Sequence, residues 1–171
     1  MKVLVVSDSH GSIEEIESIK KEYEGKVDAI FHCGDSELEF DHPIMKTFLT
    51  VRGNCDFDSR YPNDRLEEID GHRIFMTHGH LYNVKMSLLN LQYKAKEHNA
   101  NIVFFGHSHV LGAEMIDGTL FLNPGSILLP RGHKEQSYAI VETNNATIDV
   151  AFYNDQHKKL TDRDVQFPFA K

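Results

Sequence analysis

Cysteine is scarce in this chain. Cys33 and Cys55 are the two among 171 residues, which excludes a disulfide framework and any CxxC motif. Long apolar runs are missing as well. No stretch approaches the ~18 residues of a membrane span. The N-terminus enters a strand with no basic segment and long apolar segment before it, so no signal peptide is expected and the cytoplasm is the default location. Positive charge is in deficit: 18 Lys and Arg stand against 26 Asp and Glu, a formal net charge of −8. Such a surface repels polyanions, so neither bulk nucleic-acid binding nor membrane binding is expected. There is no Gly-x-Ser-x-Gly elbow to supply a protein nucleophile. No internal repeat and no linker divides the chain, and the expectation is one domain over 1–171.

What the chain does have is histidine, eleven of them, and their placement matters more than their number. Val3 to Val6 is an unbroken apolar run that reads as a buried strand. Ser12 and Glu15 fit a capping box opening a helix over 12–24, with Ile13, Ile16, Ile19 and Tyr23 as its apolar stripe and Gly25 as its C-cap. Val27 to Phe31 reads as the next strand, parallel to the first. Residues 36–46 read as a short helix broken by Pro43, and Phe48 to Val51 as a short strand. Leu66 to Ile69 and Arg73 to Met76 flank Asp70-Gly71, a hairpin signal. Asn83 reads as the cap of a helix over 84–98, and Ile102 to Phe105 as a strand. Beyond that the pattern is β alone: hairpins across Asp117-Gly118 and Asn144-Asn145, a turn at Asn123-Pro124-Gly125-Ser126, and a loosely held tail over 154–171 in which Phe167-Pro168-Phe169 can dock.

Five strand exits carry the chemistry: Asp8/His10, Asp35, Asn54, His78 and His107/His109. Each follows an apolar run, and most are tied to a glycine (Gly11, Gly34, Gly53, Gly79, Gly106). Ligand sites of α/β sheets lie outside the carboxyl ends of the strands. Any one exit alone reads as an ordinary turn or a satisfied histidine; five in series point to a site. Two aspartates, four histidines and an asparagine form a mixed N/O set, suited to Mn, Fe, Co, Ni or Zn. The set is too nitrogen-rich for calcium and lacks the thiolates of a structural zinc site. Seven ligands exceed the needs of one such ion, and two divalent ions sharing a carboxylate fit better. Two such ions outweigh the aspartates and leave a net positive site, able to attract a phosphate on an acidic protein.

The series Asp8-Ser9-His10, Gly34-Asp35, Gly53-Asn54-Cys55-Asp56, His78-Gly79-His80 and Gly106-His107-Ser108-His109 resembles the calcineurin-like metallophosphoesterases. The short chain and the Asn123-Pro124-Gly125-Ser126 turn are similar to the compact YfcE-type phosphodiesterase branch. The resemblance covers roughly residues 2–126. It implies an α/β fold, a two-sheet β-sandwich flanked by helices on both outer faces. Carried across by position, it implies Asp8, His10 and His109 on a first metal, Asn54, His78 and His107 on a second, and Asp35 bridging. Period-2 geometry across Ser108 predicts that His107 and His109 point the same way. The wider superfamily has histidine where this chain has Cys55, which reads here as a small buried residue in a tight turn. The protonation of the leaving group then falls to His80 as candidate, with a supporting role beside His78 as the equal alternative. Asp56 reads as a buttress of its turn. His32 reads as a neighbour of the site, and His133 with Arg131 as part of a loop bordering it. His42, His72, His98 and His157 read as surface residues.

The function expected is metal-dependent phosphoester hydrolysis, most readily of a phosphodiester, by a hydroxide held between two ions and attacking phosphorus in line with the leaving oxygen. The expected partner is a small phosphoester substrate, and a homo-oligomer stays open. The rival is a metal-binding, catalytically weak scaffold of the same fold that binds other proteins, as in eukaryotic vesicle-coat assemblies. A metallo-β-lactamase-type site predicts an His-x-His-x-Asp-His run, and the stretch from His78 to Asn83 lacks its second half.

Overall fold

The computed structural model describes residues 1–168. In chain order the elements are β1 (Lys2–Val6), α1 (Ile13–Tyr23), β2 (Ala29–His32), a 3-10 helix (Pro43–Thr47), β3 (Leu49–Thr50), β4 (Asp64–Ile69) and β5 (His72–Thr77). A second 3-10 helix (His80–Tyr82), α2 (Leu89–Glu97), β6 (Ile102–Phe104), β7 (Gly112–Ile116) and β8 (Thr119–Asn123) follow, then β9 (Tyr138–Thr143), β10 (Thr147–Tyr153) and β11 (Val165–Pro168).

Two mixed sheets stack face to face. One runs β11-β10-β9-β1-β2-β3 and the other β4-β5-β6-β8-β7. In the first, β1, β2 and β3 are parallel; in the second, β5, β6 and β8 are parallel. Unbroken apolar strands such as β1 are buried on both faces, and each face has its own cover. Val3, Val5 and Phe31 of the first sheet meet Ile74, Met76, Phe104 and Leu122 of the second in the layer between the sheets. Leu4, Val6 and Ile30 point outward, beneath Ile16 and Ile19 of α1 and Ile44 and Met45 of the first 3-10 helix. On the far face Phe75, Val103 and Phe121 lie under Leu91 and Ala95 of α2. The helix-flanked sandwich is thus the one the sequence predicts.

Several elements follow their local chemistry closely. Asp70 and Gly71 have φ of 52° and 78°, Asp117 and Gly118 of 49° and 79°, the paired positive values that two-residue hairpin turns demand. The C-cap of α1 is Glu24 rather than Gly25, which follows it with φ of 79° in the turn that leaves the helix. Other expectations are corrected. Ser12 is the N-cap of α1, but its hydroxyl meets the Glu15 carboxylate rather than a backbone N–H, and Ile13 is partly exposed. Pro43 does not break a helix; it begins one, at a first-turn position where its missing N–H costs nothing. The expected helix over 84–98 begins only at Leu89: Asn83, at a left-handed φ of 55°, ends the second 3-10 helix instead of capping α2, whose N-cap is Leu88.

Through residue 168 the expected loose tail is held. β11 pairs antiparallel with β10, Ile148 opposite Phe167 and Val150 opposite Val165, and Leu160, Val165 and Phe167 pack on the central core. Ahead of it, His157 is hydrogen-bonded at Nε2 to Ser18 Oγ (2.8 Å) and at Nδ1 to the Tyr138 hydroxyl (2.9 Å). Phe169, part of the expected docking stretch, lies outside the described residues.

Candidate metal centre

The exits of β1, β2, β3, β5 and β6 open at one rim of the sandwich. Parallel strands emerge there together, and sharp turns must follow each of them. Five of the seven predicted side chains sit on left-handed backbone: Asp8 (φ 55°), His10 (44°), Asp35 (53°), His107 (67°) and His109 (60°). Each such residue costs of order 1–3 kcal/mol, a strain that persists only where the surroundings over-determine it. Here they do. Asp8 N–H donates to Gly34 O (3.0 Å), His10 N–H to Asp35 O (3.0 Å), Gly11 N–H to Ser36 O (2.9 Å) and Gly106 N–H to His78 O (2.9 Å). Asp56 gathers four donors: the backbone N–H groups of Asp35 (2.8 Å), Glu37 (2.7 Å) and Gly53 (2.7 Å) and the Ser36 hydroxyl (3.1 Å). Two glycines allow the loops to close in. A Cβ on Gly53 would stand 2.0 Å from Asp35 Oδ1, and one on Gly106 2.1 Å from Ser7 Oγ and 2.7 Å from Asp8 Oδ2.

The functional atoms face inward. Asp8 Oδ1 stands 3.0 Å from His109 Nε2 and 3.9 Å from both His10 Nε2 and His78 Nε2. Asp35 Oδ2 stands 3.3 Å from His78 Nε2, which lies 3.2 Å from Asn54 Oδ1. His10 Nε2 and His109 Nε2 are 3.5 Å apart. Three of these histidines have the opposite nitrogen committed: His78 Nδ1–H donates to Cys33 O (2.7 Å), His109 Nδ1–H to Leu129 O (2.7 Å) and His10 Nδ1–H to Glu37 Oε1 (2.6 Å). When the rings are neutral, their Nε2 lone pairs therefore converge on a fully buried carboxylate oxygen, Asp8 Oδ1, which has no hydrogen-bond partner among the described residues. Acceptors gathered this way repel one another unless a cation lies among them, and second-nitrogen bonds of this kind are what metal-ligating histidines display. The triads Asp8/His10/His109 and Asp8/Asp35/His78 each bring three donor atoms within 4.8 Å of one another.

Electrostatics agree. Burial pushes the Asp8 carboxyl up, but the His109 ring beside it and the His78 ring outweigh it and hold the group below its ordinary value. Asp35 is likewise pushed up by burial and brought well below the carboxylate range by His78 and the Cys55 N–H. His109 is raised, chiefly by the Asp8 carboxylate beside it, and His78 is raised by Asp35 and Asp8 against the cost of its burial. His107, drawn the other way by burial and by the charge of His78, falls to about 4.

His107 and His109 do not point together. β6 ends at Phe104, so the strand rule does not reach them, and their left-handed backbone sends them apart. His109 joins Asp8 and His10, whereas the His107 ring lies against His78 (5.1 Å between centroids) and His80 (6.1 Å). His80 is near, 5.3 Å from His78, with its Nδ1 unpartnered. Cys55 is half-buried rather than buried, and its sulfur lies in one cluster with His10 and Asp35. Burial and the Asp35 charge push its thiol to about 11, so it stays protonated in the absence of metal. His72, expected at the surface, is buried: it begins β5, an interior strand between β4 and β6.

Residues outside the predicted ligand set also build the site. Ser126 Oγ–H donates to Asp8 O (2.8 Å), and Ser7 Oγ–H to Asp8 Oδ2 (2.6 Å). Asn123 Nδ2–H donates to Gly106 O (3.0 Å) and Ser108 Oγ (2.9 Å). Their partners lie over a hundred, one and about fifteen positions away, so the sequence marks the turn at 123–126 but not these bonds. His32, read as a neighbour of the site, is wholly buried; its Nδ1 accepts from Gly34 N–H (3.2 Å) and its Nε2–H donates to Ser9 Oγ (2.9 Å).

Comparison with known proteins agrees with this geometry. Residues 1–146 match the calcineurin-like phosphoesterase superfamily domain. The chain is 44% identical over 162 residues to a probable metallophosphoesterase, YsnB, of Bacillus subtilis, covering 95% of this chain and 96% of that one. It is 27% identical to the phosphodiesterase YfcE of Escherichia coli K12, covering 91% and 94%. A crystal structure of a conserved Streptococcus pneumoniae protein, described as a predicted phosphoesterase, superposes with a TM-score of 0.95 at 40% identity, over 98% of this chain and 97% of that one. With the motif series in order and the two-sheet fold around it, this chain belongs to the calcineurin-like phosphoesterase superfamily.

Proposed function

We propose that the protein hydrolyses phosphodiesters at a centre of two divalent ions. Asp8, His10 and His109 would hold one ion and Asn54, His78 and His107 the other, with Asp35 a ligand available to both. The observation that carries the reading is the unpartnered Asp8 Oδ1 facing three histidine Nε2 atoms, two of them with Nδ1 bound to a backbone carbonyl and the third to a carboxylate. Bound ions of this class supply a hydroxide at neutral pH and a positive field for the phosphoryl oxygens. The chain's part is placement: Asp56 holds the Asp35 and Gly53 loops in register, and Ser7 and Ser126 fix the Asp8 carboxylate and carbonyl. We assign the transfer of a proton to the leaving oxygen to His80, which lies beside His78 and His107. The diester preference is supported by the likeness to YfcE.

The test is turnover of bis(p-nitrophenyl) phosphate by chelator-stripped protein with and without added Mn²⁺ or Ni²⁺. Metal-dependent turnover that Asp8→Ala and His107→Ala abolish is expected. Full activity in stripped protein overturns the reading, and metal uptake without turnover on any ester points to the scaffold.

A further inference from the structure

We infer that Glu37, two residues beyond Asp35, is a positioning residue that sets the ring orientation and proton placement of His10. The inference rests on the metal-centre reading above. Among the three histidines whose second nitrogen is held, His78 and His109 use backbone carbonyls, of Cys33 and Leu129. His10 differs: its Nδ1 meets a side-chain carboxylate, Glu37 Oε1, at 2.6 Å. A carboxylate accepts but cannot donate when ionised, so the ring must carry its proton on Nδ1 and turn a bare Nε2 toward Asp8 and His109.

Glu37 is itself placed with care. It takes a left-handed φ of 54°. Its N–H donates to Asp56 Oδ1 at 2.7 Å, the same carboxyl group that holds Asp35 and Gly53. The His10 and Glu37 loops are joined by the bonds from His10 N–H to Asp35 O and from Gly11 N–H to Ser36 O. An exposed glutamate would ordinarily gain nothing from such backbone strain. Here the strain delivers its carboxylate to one ring nitrogen. Two arms of the first ion's ligand set thus rest on rigid parts of the fold, while the His10 arm rests on a solvent-facing side chain. Affinity at that position depends on Glu37, and affinity at the other does not.

The experiment has two arms. In the metal-free protein at alkaline pH, long-range ¹H–¹⁵N spectra of the imidazoles report the tautomer of His10. The native protein and Glu37→Gln, whose amide oxygen still accepts, should show the Nδ1–H form; Glu37→Ala should shift His10 toward the Nε2–H form common in water. In the second arm, calorimetric titration of the stripped proteins with Mn²⁺ should show one of two binding events weakened ~10–100-fold in Glu37→Ala, the range typical of such supporting carboxylates. The Gln variant should lie between. An unchanged His10 tautomer in Glu37→Ala, or both affinities within twofold of native, overturns the inference. Native protein that binds no Mn²⁺ while His10 still responds to Glu37→Ala instead rejects the metal-centre reading and leaves the positioning contact standing.

Discussion

Replacing Gly53 by alanine tests the site without altering any proposed ligand. Gly53 does not require a left-handed φ, so alanine meets no conformational penalty of its own and only close approach is at issue. The added Cβ would stand 2.0 Å from Asp35 Oδ1 and 2.3 Å from Asp35 N, whereas real Cβ contacts essentially never fall below 3.0 Å. The carboxylate oxygen must therefore give way by about 1 Å, a misplacement that can cost on the order of 10²-fold in rate. The backbone nitrogen resists, because Asp35 N–H and Gly53 N–H share Asp56 Oδ2 at 2.8 and 2.7 Å. Overpacking of this kind costs about 1–3 kcal/mol, or roughly 2–12 °C in Tm for a chain of this size. Gly112→Ala is the control, since its Cβ would meet nothing within 4 Å. The measurements are kcat/KM on a chromogenic diester at saturating Mn²⁺, bound metal by elemental analysis, and Tm. Gly53→Ala is expected to lose about 10²-fold in kcat/KM and to bind less metal, with Gly112→Ala unchanged. Native kcat/KM and native metal content in Gly53→Ala would refute the close-approach argument.

Two further outcomes are expected. His32 is wholly buried and its pKa is lowered, chiefly by that burial, from 6.5 to about 4; a base depressed in the folded state contributes stability above pH 6.5 that is lost as pH falls toward 4, up to about 3 kcal/mol. His78 and His109 are raised and work in the opposite sense, so urea unfolding of metal-free protein should be compared with His32→Asn, whose acid slope over that window should be shallower; equal slopes count against the assignment. If His80 protonates the leaving oxygen, His80→Ala should lose ~10²–10⁴-fold on alkyl diesters and little on nitrophenyl diesters, whose leaving group needs no proton; equal losses on both would assign it a structural role.

Much of the molecule is legible in the chain as written. Val3 to Val6 announces a strand buried on both faces, and the Asp-Gly pairs at 70–71 and 117–118 fix their hairpins through backbone preference alone. The ligand-type residues are visible because each closes an apolar run and chemistry of that kind needs side chains at strand ends. The limits of the sequence lie where a local rule meets a nonlocal contact. Asn83, expected to cap α2, instead closes the 3-10 helix before it, and the tail gains a strand because β10 offers an open edge that Phe167 and Val165 can cover.

What the sequence by itself determines, then, is the order of the elements and the kind of atom each strand exit carries. What only the tertiary structure decides is how those atoms stand to one another. His107 and His109 are two residues apart, yet left-handed backbone sends one toward His78 and the other toward Asp8 and His10. Glu37 looks like a surface glutamate until the β1 and β2 exits are joined and its carboxylate meets the His10 ring. Asp56 becomes the hub of three backbone N–H groups only when the β2 and β3 exits pack together. The reason is physical: residue type and spacing are properties of one stretch of chain, whereas buried polar groups must find partners wherever folding brings them.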